Sequence, residues 1–408
     1  MQAGLHRYGL FAGALAFAGL PLYLHAPKFF VDQYGLSLTA IGVILLMLRG
    51  LDFLQDPLIG SWIDRAGSWR RAIGFGASAV MAGAMLLLFA FDASGNPQFW
   101  FITAMILLFS AYSTLTILFY SQGIAKAESL GDNGHVRVAG WREAGALIGV
   151  CIAAVLPTVF AGFNLIQPMA AFALTFAIFV AFVAWLMDTE WAAIPTPNGN
   201  KFGVLGQPAL RRLLFIALLN AAPVAITSNL FLFFVEYRLG SELLAGPMLL
   251  LFFLAAAISV PFWSSSAKNY GVKRSILAGM VLAILTFGFA LTLGTGDIVH
   301  FAIVCFASGA ALGADMTLLP AAFARQLEAS AAAGGRGFGL WNFCAKFSLA
   351  LAAAIVLPTL EWAGFRVGMK NTDAALWTLS LLYAGLPCVL KLIALGPVIR
   401  TKFEENPA

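Results

Sequence analysis

Stretches of twenty or more residues without a charge alternate along this chain with short polar interruptions that carry most of its arginines. Uncharged runs include 72–91, 97–125, 213–235 and 243–267. Each is long enough to cross about 30 Å of hydrocarbon as a single helix. The run 144–187 is too long for one crossing and divides near Gly162, Phe163 and Asn164. Lipid offers no partners to backbone N–H and C=O groups, so runs of this length are read as helices. The pattern predicts twelve of them, at 4–30, 36–63, 70–92, 97–126, 136–163, 165–188, 208–238, 241–268, 272–294, 296–326, 334–362 and 373–400. The first apolar run, Gly9 to Leu24, is longer than a secretion-signal core, contains Pro21, and lacks a small-residue cleavage site. It is read as helix 1, retained.

Residues 189–207 form the longest polar interruption, with Pro195, Pro197, Asn198 and Gly199. Treated as a cytoplasmic linker, they separate a six-helix bundle at 1–188 from a second at 208–408. The predicted fold is an all-α membrane protein of twelve transmembrane helices in two six-helix bundles. With both termini cytoplasmic, 17 of the 24 Lys and Arg residues fall on inside positions. Lys28, Arg238, Arg366 and Lys370 fall outside, and Arg49, Lys346 and Lys391 within helices. That asymmetry sets the expected orientation in a cell's inner (plasma) membrane.

Composition agrees with the pattern. Hydrophobic residues make up 61% and charged residues 11%, against about 25% charged in soluble domains. The formal charge of +5 does not point to nucleic acid, because the basic residues sit in the interruptions between apolar runs. The expected partners are the bilayer and a small-molecule substrate, with the chain a monomer. Cys151, Cys305, Cys344 and Cys388 are far apart inside apolar stretches and read as small hydrophobes. The four histidines have no metal-ligand spacing. No cofactor, no metal beyond a monovalent cation and no enzymatic activity is expected.

Between helices 2 and 3 the chain reads Gly60-x3-Asp64-Arg65-x-Gly67, followed by Arg70-Arg71. This resembles the conformational loop of the major facilitator superfamily. Gly60 permits close helix approach. Asp64 is placed to accept from a helix N-terminus or an arginine, latching one conformation. The alternative is an ordinary positive-inside loop. A weaker echo, from Pro261 through Lys268 and Gly271 to Lys273-Arg274, lies between helices 8 and 9. Helix 2 also carries Arg49-x2-Asp52-x2-Gln55-Asp56-Pro57, which is similar to the glycoside–pentoside–hexuronide:cation symporters. Arg137 to Arg142 and Gly335 to Lys346 extend that resemblance.

An ionisable group at bilayer depth costs roughly 3 kcal/mol or more, which makes it a functional candidate. Arg49, Asp52 and Asp56 share one helical face. Pro57 frees the carbonyl of Phe53. Such a face suits a small monovalent cation or a shared proton; a structural ion-pair network is the alternative. The resemblance implies that Asp52 and Asp56 hold the coupling ion, sodium or proton, with Ser113 a weaker ligand. Lys346 needs a counter-charge, and either helix 2 acid or a partner elsewhere supplies it. Arg142 matches a family arginine associated with substrate; anchoring at the membrane edge is the alternative. Tyr120 and Trp341 are candidate stacking residues. Asp315, before Pro320, is a possible cavity residue, and Lys391 is given no role. The family's substrate carboxylates align here with Ala16 and Thr116. The expected function is therefore cation-coupled symport of a small organic solute, a sugar or glycoside-like molecule. The alternatives are carriage of amphipathic or anionic molecules such as lysolipids or drugs, or a receptor or scaffold without transport.

Overall fold

The computed structural model describes residues 4–20, 26–36, 38–93, 95–131, 133–163, 167–191, 204–241, 244–330, 332–366 and 369–401. The side chains of residues 20, 27, 28, 32, 38, 39, 42, 49 and 158 lie outside that description, which includes the predicted site residue Arg49. Among the described residues the chain is helical, without strands.

Helix 1 of the sequence reading falls on α1 (Leu5–Leu20) and α2 (Ala26–Tyr34), with 21–25 outside the described residues. Helix 2 is α3 (Leu38–Asp64), followed by α4 (Arg70–Phe89), α5 (Pro97–Glu128), α6 (Gly134–Gly162) and α7 (Pro168–Leu186). The later helices are α8 (Pro208–Phe233), α9 (Ala245–Tyr270), α10 (Val272–Ala290), α11 (Ile298–Ala329) and α12 (Gly334–Trp362). The final crossing is α13 (Asp373–Ser380) and α14 (Leu386–Arg400) joined by a π-helical turn, Leu381–Gly385. A second π turn, Phe234–Arg238, extends α8. Ten helical stretches among the described residues are long and apolar enough to cross a membrane. Outside those ten, α1 has 16 described residues, and α3 has 27 but carries charges along its length.

Local chemistry explains several ends. Asn96 caps α5 by accepting from the Phe99 N–H at 3.1 Å, and Pro97 follows at the first helical position. Thr372 caps α13 by accepting from the Ala375 N–H at 3.3 Å.

Packing divides the chain into two compact units. The first holds Met1–Val204 and Leu327–Phe343; the second holds Leu205–Gln326 and Cys344–Ala408. In the first, α1 lies along α6 and α7, and α5 packs on α3, α4 and α6. Phe17 stacks on Phe172 with centroids 5.0 Å apart, and Phe11 meets both Phe119 and Trp191. The beginning of the predicted linker folds onto this unit. Trp191 is buried against α1 and α4 and Glu190 pairs with Lys126 at 2.7 Å, while Asp188, just before the linker, pairs with Arg71 at 2.6 Å. In the second unit α14 packs on α8 and α10. The two π turns meet there, where Phe234 stacks on Tyr383 at 4.2 Å.

Glycine sets the tightest crossing. A methyl group on Gly145 would strike the carbonyl oxygen of Gly9, and one on Gly149 that of Gly13. The two Gly-x3-Gly pairs interlock α1 with α6, the way helices gain dispersion contact where lipid gives no hydrophobic drive. Gly76 of α4 has open space instead. Gly145→Leu is expected to cost about 3 kcal/mol or more through overpacking, collapsing the monodisperse fraction in size-exclusion chromatography. Gly76→Leu should leave it near wild type, and equal behaviour of the two would contradict this packing.

Candidate functional site

α3 has two faces. Leu46, Met47, Leu54, Leu58 and Trp62 are exposed, as residues facing lipid would be. Asp52 and Asp56 are each 0% exposed, one turn apart on the opposite side. An intramembrane carboxylate turned inward avoids hydrocarbon. Asp52 is also held by neighbours: Gln55 Nε2 donates to its Oδ1 at 2.8 Å, and Ser110 Oγ of α5 donates to Gln55 Oε1 at 3.0 Å. This relay uses Ser110, one turn before the predicted Ser113, which is itself buried on α5. Neither Gln55 nor Ser110 was given a role from the sequence. Pro57 sits inside α3, so the Phe53 carbonyl loses its helical donor one residue from Asp52.

A second cluster lies on α5 and α6. Arg142 and Glu143 are 5% and 2% exposed, so Arg142 is buried in the first unit. Its guanidinium stands over the Tyr120 ring, 3.7 Å from the centroid. Arg142 Nε donates to Glu143 Oε1 at 2.7 Å, and Tyr120 Oη donates to the same oxygen at 3.2 Å. Arg142 Nη2 is buried and has no acceptor among the described residues. Phe338 of α12 packs edge-on against Tyr120 at 5.0 Å, and Trp341 is half-buried three residues further on. The acidic partner Glu143 was visible in sequence beside Arg142, but the stacking on Tyr120 needed the α5–α6 contact. Thr116, where the resemblance expects a carboxylate, is buried on α5.

The loop residues form a third cluster. Asp64 Oδ1 accepts from the Gly335 N–H at 2.7 Å, and Oδ2 from the Arg336 N–H at 2.9 Å. These are first-turn amides of α12, which have no partner within their own helix. The carboxylate also meets the positive end of the helix dipole. Gly60 and Gly335 are in backbone contact, so a side chain on either would force the helices apart. Gly67 takes φ +49°, and Arg65 is exposed. Arg70 is buried and donates to Ser121 Oγ at 3.1 Å, Gln122 Oε1 at 3.3 Å and the Ile63 carbonyl at 3.4 Å. Arg71 pairs with Asp188 at the surface. Alongside this cluster His135 of α6 pairs with Glu328 of α11.

Lys346, half-buried on α12, belongs to the second unit. That unit has its own buried charges. Lys391, left without a role by the sequence, donates to both Asp315 and Asn220. Among the described residues no group of three or more His, Cys, Asp and Glu side chains is placed to hold a metal.

Comparison with known proteins follows the same lines. The uncharacterized symporter YnaJ of Bacillus subtilis (strain 168) is 24% identical over 427 residues, covering 98% of this chain and 90% of that one. The sodium-dependent lysophosphatidylcholine symporter 1-A of Danio rerio is 26% identical over 204 residues, 48% of this chain. The matched region spans only 38% of that relative's length. Among solved structures, the E. coli fucose:proton symporter superposes with a TM-score of 0.71 at 12% identity, covering 96% of this chain and 98% of the other. A bacterial homologue of the iron transporter ferroportin does so with 0.71 at 15% identity, with the same coverage. A family described as MFS/sugar transport protein matches residues 5–405, and the chain therefore belongs to that family of multi-pass membrane transporters.

Proposed function

We propose that this chain is a cation-coupled symporter for a small organic solute, working in the cell membrane with both termini in the cytoplasm. The observation that carries the reading is the pair of fully buried carboxylates, Asp52 and Asp56, one turn apart on α3. A scaffold would have no need of two acids in hydrocarbon. A coupling site needs hard oxygen ligands whose charge a small cation neutralises. Gln55 and Ser110 orient the first of these acids, Ser110 acting through Gln55. Sodium is favoured over a proton by this oxygen set, and one relative is named a sodium-dependent symporter. Arg142, with its free Nη2 donor and the Tyr120 ring beneath it, supports recognition of an anionic group on the solute.

A second reading of the substrate rests on Ala16 and Thr116. Without carboxylates at those positions, the pocket lacks strong acceptors for sugar hydroxyls. That favours a hexuronide-like or amphipathic anion, such as a lysolipid, over a neutral galactoside.

Two measurements test these assignments. In proteoliposomes, Asp52→Asn and Asp56→Asn should each lower sodium-driven accumulation by at least about 10-fold, with the protein still folded. Wild-type accumulation by both variants would remove the coupling assignment. Loss of gradient-driven flux in the wild type across a broad solute panel would favour a non-transport role. For the substrate, thermal shift against neutral sugars, hexuronides and lysolipids should show stabilisation by an anionic compound. Arg142→Gln should weaken that binding by about 10- to 100-fold, the range for a charge-assisted hydrogen bond. Tight, sodium-dependent binding of a neutral galactoside would restore the plain sugar symporter.

A further inference from the structure

The second unit buries an ion cluster to which neither the transport reading nor the family match gives a task. Asn220 stands near the middle of α8, Asp315 near the middle of α11, and Lys391 two-thirds of the way along the last crossing. Their exposures are 4%, 8% and 2%. The Lys391 ammonium donates to Asp315 Oδ2 and to Asn220 Oδ1 at once. The other carboxylate oxygen, Asp315 Oδ1, is buried with no donor among the described residues.

Two prolines enlarge this oxygen set. Pro223 lies inside α8 and Pro320 inside α11. Having no N–H, each leaves the carbonyl four residues earlier without its helical donor. Those carbonyls belong to Leu219 and Met316, the neighbours in sequence of Asn220 and Asp315. The spacing is the one seen on α3: Asp315 precedes Pro320 by the same interval as Asp52 precedes Pro57. An aspartate, an amide oxygen and proline-freed carbonyls at bilayer depth are a ligand set for a small monovalent cation. Here the positive charge comes from the chain itself.

We propose that Asn220 and Asp315 form a monovalent-cation site in the second unit, with the Lys391 ammonium as its resident, covalently tethered occupant. The tether keeps the site filled, so the wild-type second unit takes no ion from solution. Removing the ammonium vacates an anionic cage that an alkali cation then fills. The idea is independent of the coupling role of α3, and the test is run in an Asp52→Asn, Asp56→Asn background so that the two stand or fall separately.

The probes are sodium and potassium chloride, with choline chloride as the bulky control. In that background, the chain with Lys391 intact should melt at the same temperature in all three salts. Adding Lys391→Met, of similar length but uncharged, should lower the melting temperature in choline and restore it by several degrees in one of the alkali salts. Adding Asp315→Asn as well should abolish the salt difference. If Lys391→Met proves too unstable to purify in choline, its folded yield is compared after preparation throughout in each salt, and an alkali salt should rescue it. Equal behaviour of the Lys391→Met chain in all three salts, whether folded or unfolded, overturns the proposal. A salt difference that survives Asp315→Asn overturns it too.

Discussion

Hydrocarbon offers no hydrogen-bond partner, so every backbone amide within the bilayer must be satisfied by the chain itself, and buried charges turn inward to the chain or to a bound ion. The helices answer that demand for the backbone, and the clusters of buried polar side chains answer it for the charges. Asp52 is met by Gln55, which Ser110 holds in turn, Arg142 by Glu143 and Tyr120, and Lys391 by Asp315 and Asn220. The same demand governs the ends of helices. The first-turn amides of α12 are taken up by Asp64, a residue of another helix, which ties residues 327–343 to the first unit.

With no hydrophobic drive between helices in lipid, closeness has to come from shape. The Gly9/Gly13 and Gly145/Gly149 crossing and the Gly60/Gly335 contact bring backbones together. In the second unit Gly309 and Gly313 of α11 do the same against α9. The π turns after α8 and within the last crossing are departures from the regular ladder, and such turns gather at functional positions. Here they let Phe234 and Tyr383 lie flat on one another.

Most helices were legible because a run long enough to cross the membrane leaves little freedom in where it starts and stops. The spans 36–63 and 97–126 became Leu38–Asp64 and Pro97–Glu128. The shared face of Asp52 and Asp56 followed from spacing, whereas for Asp64 the resemblance of its loop left two partners open, a helix N-terminus or an arginine. Gln55 and Ser110 were not legible as a relay, since uncharged polar residues occur throughout these helices. The glycine pairs were hidden by abundance: with 40 glycines in the chain, a spacing of four selects little. The role of Lys391 could not be read either, because its partners lie 76 and 171 residues away. The packing of α14 on α8 brings Lys391 to Asn220. The π turns carry no local signature, as Phe234–Arg238 and Leu381–Gly385 share no residue pattern.

That separation has a consequence for how the protein is made. Ribosomes deliver the chain from the N-terminus, at about 5–20 residues per second. Asp315 therefore enters the membrane with its carboxylate unanswered, and the 76 residues to Lys391 take roughly 4–15 s to follow. Throughout that interval α11 carries an acid that hydrocarbon penalises. The second unit cannot neutralise that acid until α14 arrives with Lys391. A chain cut short before α14 would hold eleven of its predicted crossings and still bury Asp315 without the ammonium of Lys391.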